Sequence, residues 1–220
     1  MVLYKYLQHY YAEGLVSHGE VLFRSLLHFL SCEDARRDEL EGTHSYAPPS
    51  GLPVNNMTQG WSRAMPGWSM DAGVKSPDKV FVYCTSLVLS AKLAAKFACD
   101  ACVEIGDIEK FVLRLKTALR RLPRVKLATL RHGEVEYYRT AEPPGAVYAL
   151  PDAIIMNKPL EFGDEQEYRF CFSLKPDTFD FENADLRLRK GAVARVAPGP
   201  YPQLMVRLGI MRDCCRICGF

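Results

Sequence analysis

The segment VFVYCTSL at 80–87 is apolar at nearly every position and rich in β-branched and aromatic residues. A run that short and unbroken predicts a central strand covered on both faces, because a half-exposed strand would alternate. Other segments carry other periods. LYKY at 3–6 alternates and predicts a short strand. AEGLVSHGEVLFRSLLHFLS predicts a short helix, a turn at Gly19, a strand at VLFRSL and one more turn of helix. LVLSAKLAAKFA predicts a helix and ACVEI a strand. Ile108, Phe111, Val112, Leu115, Leu119 and Leu122 recur at helical spacing behind Asp107, a good N-cap, so a helix should run from Ile108 to about Leu122. VKLATLRHGEVEYYR predicts two strands around a turn at His132-Gly133. YRFCFSL, LRLRKGAVARV and QLMVRLGI all look strand-like.

Residues 43–79 interrupt this order. They hold Pro48, Pro49, Pro53, Pro66 and Pro77, several glycines and both tryptophans. An irregular loop or insertion at about 43–79 is expected, within a single domain over 1–220. A loop that long in a compact domain is usually functional or mobile. Trp61 and Trp68 would pin it to the body or face a ligand. With helices inserted in the first half and strands dominating later, the fold class is α+β with a mixed, largely antiparallel sheet.

Composition bounds the partners. Hydrophobic residues make up 48% and charged residues 25%, as in an ordinary globular chain with a sizeable core. Net charge is +2, so nothing global calls for nucleic acid or an anionic membrane. Lys110, Arg114, Lys116, Arg120 and Arg121 read as the solvated side of the 108–122 helix. No stretch approaches the roughly 20 apolar residues that span a bilayer, and MVLYKYLQHYYAEG lacks a signal-peptide core. A cytoplasmic chain with reduced thiols is expected. Two C-x-x-C pairs, Cys99 with Cys102 and Cys215 with Cys218, could in principle hold zinc. Cys102 opens CVEI and reads better as a small core residue, so no metal is expected.

The candidate chemistry centres on GDEQEYRF at 163–170. If the segment is extended, Glu165 and Glu167 point to the same side and both carboxylates can face one cleft. The same letters also describe a solvated turn in which Glu167 simply pairs with Arg169. A second charged stretch, Glu33, Asp34, Arg36, Asp38 and Glu41, could be an ion-pair network. It could also hold Mg²⁺ for a nuclease or other hydrolase, since hard oxygen ligands suit that ion, but the neighbouring arginines would compete.

LYKY, ED-x-x-R-x-D-x-x-EG at 33–42, C-x-S at 84–86, K-P-x3-F-x2-E-x-EYR at 158–169 and LG-x3-D at 208–213 together resemble a bacterial and phage family of unknown function. The likeness covers nearly the whole chain outside 43–79, with Arg37 where that family has glycine. The chain also resembles the arginine-type ADP-ribosyltransferases in three marks taken in order. These are a basic residue on an early strand, a Ser-Thr-Ser-like strand, and E-x-E on a turn entering a late strand. The corresponding residues are Lys5 (with His9 and Arg24 as other candidates), Cys84-Thr85-Ser86, and Glu165-Gln166-Glu167. That resemblance implies an ADP-ribosyltransferase-like fold, NAD as substrate and an unknown macromolecular acceptor, in a toxin, phage or defence setting. It gives catalytic roles to Glu167, Glu165 and Ser86, and NAD contacts to Lys5, Tyr6, Thr85, Ser86 and Arg169. Plainer roles exist for the same residues. Thr85 and Ser86 could cap the next helix, and Lys5 could lie along an edge strand. A non-enzymatic interaction protein, presenting Trp61 and Trp68, is the reading from another class.

Overall fold

The computed structural model describes residues 1–31, 39–145, 148–193, 197 and 199–220. Strands β1 (Leu3–Leu7) and β2 (Glu20–Ser25) flank helix α1 (His9–His18), and α2 (Leu26–Ser31) follows. Then come β3 (Thr43–Tyr46), β4 (Leu52–Asn56), β5 (Trp61–Met65), β6 (Trp68–Val74) and β7 (Val80–Ser86). Helix α3 (Ala91–Lys96), β8 (Ala101–Ile105), α4 (Ile108–Leu119), β9 (Lys126–Glu134) and β10 (Glu136–Tyr138) lead to α5 (Pro151–Ile155). The chain closes with β11 (Asn157–Pro159), β12 (Glu167–Ser173), β13 (Ala184–Lys190), β14 (Gln203–Arg207) and β15 (Cys215–Cys218). The class is α+β, with mostly antiparallel sheets and few helices.

An eight-stranded sheet runs β14-β2-β7-β1-β8-β15, with β12 also on β7 and β9 beyond β12. The apolar run in β7 explains why this strand is central. Phe81 and Tyr83 enter the larger core beneath α1 and α4, while Val80 and Val82 enter a second core with Leu26, Ile154 and Ile155. Helix α4 places Phe111, Val112, Leu115 and Leu119 in the larger core. Asp107 caps it by accepting the Lys110 N–H at 2.9 Å.

One irregularity of the sheet matters for function. β12 pairs with β7 from Val80 to Ser86, occupying one edge along its whole length. β2 and β1 must therefore share the other edge. β2 takes Phe81 and Val82, and β1 takes only Ser86. Between these contacts β1 and β2 diverge, and the sheet forks beside Tyr83, Cys84 and Thr85.

Several expectations change. Residues 43–79 are not an irregular loop. β3 and β6 join β13 in a three-stranded sheet, and β4 and β5 form a hairpin. Their strands are short and polar, with prolines tolerated at places such as Pro53. Trp61 and Trp68 open β5 and β6, both half-buried. No turn interrupts β9 at His132-Gly133. The strand runs through, with His132 opposite Phe170 and Gly133 opposite Arg169. β1 is no edge strand, since β8 pairs along its full length. Ser90, not Thr85 or Ser86, caps α3, accepting the Leu93 N–H at 3.4 Å. The two C-x-x-C pairs meet, because β15 pairs with β8 and sets Cys218 opposite Cys102. No helix among the described residues is long and apolar enough to cross a membrane.

Candidate functional site

The fork opens onto a cavity of about 120 Å³. Tyr4, Tyr6, Phe29 and Phe97 give it aromatic walls. Its polar side comes from elements far apart in sequence. Lys5 arrives on β1, Arg24 on β2, Cys84, Thr85 and Ser86 on β7, and Lys158, Glu165 and Glu167 from β11 to β12. Glu41, preceding β3, completes it.

The two glutamates face this cavity by a route other than strand alternation. Glu165 ends a 3-10 helix over Leu160–Glu165, and Glu167 begins β12. Between them Gln166 takes a left-handed conformation, φ 39° and ψ 57°. Few non-glycine residues adopt it, and it folds the chain back by one residue so that both carboxylates turn the same way. The strand partners hold the turn in place. The Gln166 carbonyl accepts the Leu87 N–H at 2.8 Å, and the Ser86 hydroxyl donates to the Glu165 carbonyl at 2.7 Å.

The carboxylates are not solvated. The Lys158 ammonium bridges them, 2.7 Å from Glu165 Oε2 and 3.1 Å from Glu167 Oε2. Lys96 reaches Glu165 Oε1 at 2.9 Å. Arg169 Nε donates to Glu167 Oε1 at 2.6 Å. The far side of the Arg169 guanidinium grips Glu41 at 2.7 and 3.2 Å, and Nη1 also donates to the Ile155 carbonyl. One chain of alternating charge thus runs from Glu41 through Arg169, Glu167, Lys158 and Glu165 to Lys96. Arg169 is 0% exposed, so its charge depends wholly on these partners.

This arrangement sets the protonation states. Burial alone would raise the Glu167 carboxyl, but Arg169 and Lys158 overcome it and hold it well below the usual carboxylate range. Burial would likewise lower Lys158, yet Glu167, Glu165 and Glu41 push it well above an ordinary lysine. The Cys84 thiol is pushed well up by burial and by the Glu167 charge. Burial raises the Tyr137 phenol to about 12. Its oxygen accepts the Glu167 N–H at 2.8 Å. Glu167 is therefore a fixed, ionised acceptor that cannot act as a proton donor near neutral pH.

The structure brings Lys5, Tyr6, Thr85, Ser86, Glu165 and Glu167 to one cavity. Their individual duties differ. Lys5 donates to the Cys84 carbonyl at 2.6 Å, with its ammonium 4.3 Å from the centre of the Tyr83 ring. In the gap left by β1 and β2, this side chain stands in for a missing strand. Tyr6 donates to the Val88 carbonyl at 2.6 Å and lies parallel to Phe220. The Thr85 hydroxyl donates to the Tyr168 carbonyl at 2.8 Å and the Ser86 hydroxyl to Glu165, so both position β12 and its turn. Arg169 lies behind the wall, not on it, and orients Glu167. The pairing of Glu167 with Arg169 is real, as their shared face suggested.

Other residues were missed. Lys158 is the first letter of the K-P-x3-F motif, but no local pattern announces its role as a bridge. Glu41 was a candidate metal ligand and is instead the partner of Arg169. Gly42 makes its approach possible. At φ +66° this residue lies so close that an added Cβ would sit 2.8 Å from Leu26 Cδ1. Arg24, an alternative for the early basic residue, lines the cavity, whereas His9 is an exposed residue at the start of α1. Glu33, Asp34, Arg36, Arg37 and Asp38 lie outside the described residues. Among the described residues no group of three or more His, Cys, Asp or Glu side chains could hold a metal ion.

Comparison with family models, with curated proteins and with solved structures gives no match.

Proposed function

We propose that the forked cavity is the NAD site of an ADP-ribosyltransferase-like protein, built on a fold of that kind. The observation that carries this reading is the convergence of Lys5, Ser86, Glu165 and Glu167 on one cavity from three separate stretches of chain. The size fits part of the substrate. An apolar cavity of about 150 Å³ holds benzene, so about 120 Å³ takes at most a single ring. The nicotinamide end would enter, with the rest of the dinucleotide lying across the mouth near Arg24 and Lys5.

In the reaction, the bond between ribose C1′ and the pyridinium nitrogen breaks, and nicotinamide leaves with the electron pair. Positive charge spreads over C1′ and the ring oxygen, as in glycoside hydrolysis. Glu167 is suited to face that charge because it stays ionised and cannot drift. Arg169 and Lys158 keep it in place. The acceptor's lone pair then closes on C1′ while its proton passes to Glu165 as general base. Glu165 must first exchange a partner. Lys96, whose side chain is 27% exposed, can move to water more cheaply than Lys158 at 9%.

The test is turnover of labelled NAD in a host lysate, wild type against Glu167→Gln. Released nicotinamide and labelled macromolecules are expected, with a loss on the order of 100-fold or more in the variant. No turnover together with no NAD-dependent thermal shift would sink the reading.

A further inference from the structure

The 24 residues from Lys110 to Gly133 hold eight lysines and arginines and no acid. Since the whole chain carries +2, the other 196 residues carry −6. The near-neutral total conceals a strongly basic segment.

The structure sorts these cations. Lys110 and Arg114 reach Asp213 at 3.4 and 2.8 Å, and Arg131 reaches Asp152 at 3.9 Å. Lys116, Arg120, Arg121, Arg124 and Lys126 make no ion pair among the described residues. These five follow one another around the corner from α4 to β9. Lys116 lies in the last turn of α4, Arg120 and Arg121 in the turn that closes it, Arg124 in the next turn, and Lys126 opens β9. The first four are exposed and Lys126 is half-buried. Leu119, Leu122 and Val125 alternate with them and pack on the larger core, so the corner is anchored from below. The Arg121 N–H donates to the Ala118 carbonyl at 3.1 Å, and the Val125 N–H to the Leu122 carbonyl at 2.9 Å. Burial and the Lys116 charge both lower the His132 imidazole, so the helix side of the patch adjoins β9. Lys116 and Arg120 suit the negative end of the helix dipole, but that attraction fades within a turn and does little for Arg124 and Lys126.

We infer that this corner binds the phosphate backbone of duplex nucleic acid, without reading its sequence. The guanidinium forks of Arg120, Arg121 and Arg124 match pairs of phosphate oxygens, and such contacts carry no base information. A single strand needs exposed rings for its bases to stack on, and the one Phe, Tyr or Trp of the segment, Phe111, is in the core. An anionic membrane needs an apolar face, and Leu113 is the one well-exposed large apolar side chain of the segment among the described residues. The corner lies at the far end of β12 from Glu167, because Ser173 pairs with Lys126. The inference therefore stands apart from the transferase reading.

The experiment follows the fluorescence anisotropy of short labelled DNA and RNA duplexes as the whole protein is added, from about 50 mM salt upward. Binding should not depend on sequence. Log K should fall with log salt at a slope of about −3 to −4.5, near −0.9 for each phosphate neutralised. The triple variant Arg120→Gln, Arg121→Gln, Arg124→Gln changes exposed side chains, so the thermal midpoint should hold. It should weaken binding at low salt by at least about tenfold and flatten the slope by roughly 2–3. Arg63→Gln, Lys75→Gln, Lys92→Gln removes the same charge from exposed positions elsewhere and should bind almost as wild type. The inference fails if neither duplex binds at low salt, if the two triple variants lose equally, or if phosphatidylglycerol vesicles are bound more tightly than either duplex.

Discussion

The forked cavity and the aromatic cluster of His44, Tyr138 and Tyr148 bury polar atoms on opposite terms. In the forked cavity each of the three glutamates has a cationic partner, and Glu165 and Glu167 each have two. In the aromatic cluster, His44 Nδ1 and the Tyr148 hydroxyl have none among the described residues. The difference follows from charge. An unpaired ion in the interior costs several kcal/mol, so ionised groups enter only as a connected set. An unpaired neutral polar atom costs roughly 1–3 kcal/mol, a load a fold can carry.

The sharpest way to break the comparison is to remove the fully buried cation. Arg169→Met strands Glu41 and leaves Glu167 with Lys158 alone. Urea unfolding should show a loss of about 3–5 kcal/mol. The double variant Arg169→Met, Glu41→Leu removes the stranded charge and should recover much of it. If the double variant is as unstable as the single, the cost is lost packing and not an unpaired ion.

Acid sharpens the contrast next. Below pH 6.5 the unfolded chain protonates His44, while the folded ring resists until about pH 4. Its contribution is present above 6.5 and is lost as pH falls toward 4, by at most about 3 kcal/mol. His44→Phe should flatten stability across that window in a pH series of thermal melts. Glu167 acts lower. Its folded pKa lies below the ordinary 4.5, so its contribution persists above that value and fades only as pH drops beneath it. An unchanged slope between pH 6.5 and 4 in His44→Phe would remove His44 from the account.

The smallest effect belongs to the end of the charge chain. Lys96→Ala deletes a partly exposed partner of Glu165 that also reaches Asp164 at 3.2 Å. Its stability cost should stay within about 1 kcal/mol. A loss as large as that of Arg169→Met would mean that the surface end is as tightly coupled as the core.

The sequence made some of this legible. The unbroken run of β7 announced a strand buried on both faces, and Asp107 announced the start of α4. E-x-E before an aromatic strand marked where carboxylates gather, and the i, i+2 spacing of Glu167 and Arg169 announced their pairing. Residues 43–79 were opaque because short polar strands rich in proline carry weak alternation. His132-Gly133 looks like a turn in isolation and becomes mid-strand only because β12 pairs along it. Gln166 gave no sign of its left-handed conformation, since Leu87 and Ser86 impose the turn from another strand.

What the sequence determined by itself is the inventory and its local periods: which segments alternate, where a helix is capped, and which charged and hydroxyl side chains arrive in order. What only the tertiary structure decided is which of them touch. Glu41 and Arg169 stand 128 positions apart, and no local pattern relates them. Ion pairs and cavities arise where distant strands diverge or cross, and their energy depends on a burial that exists only once the chain has closed.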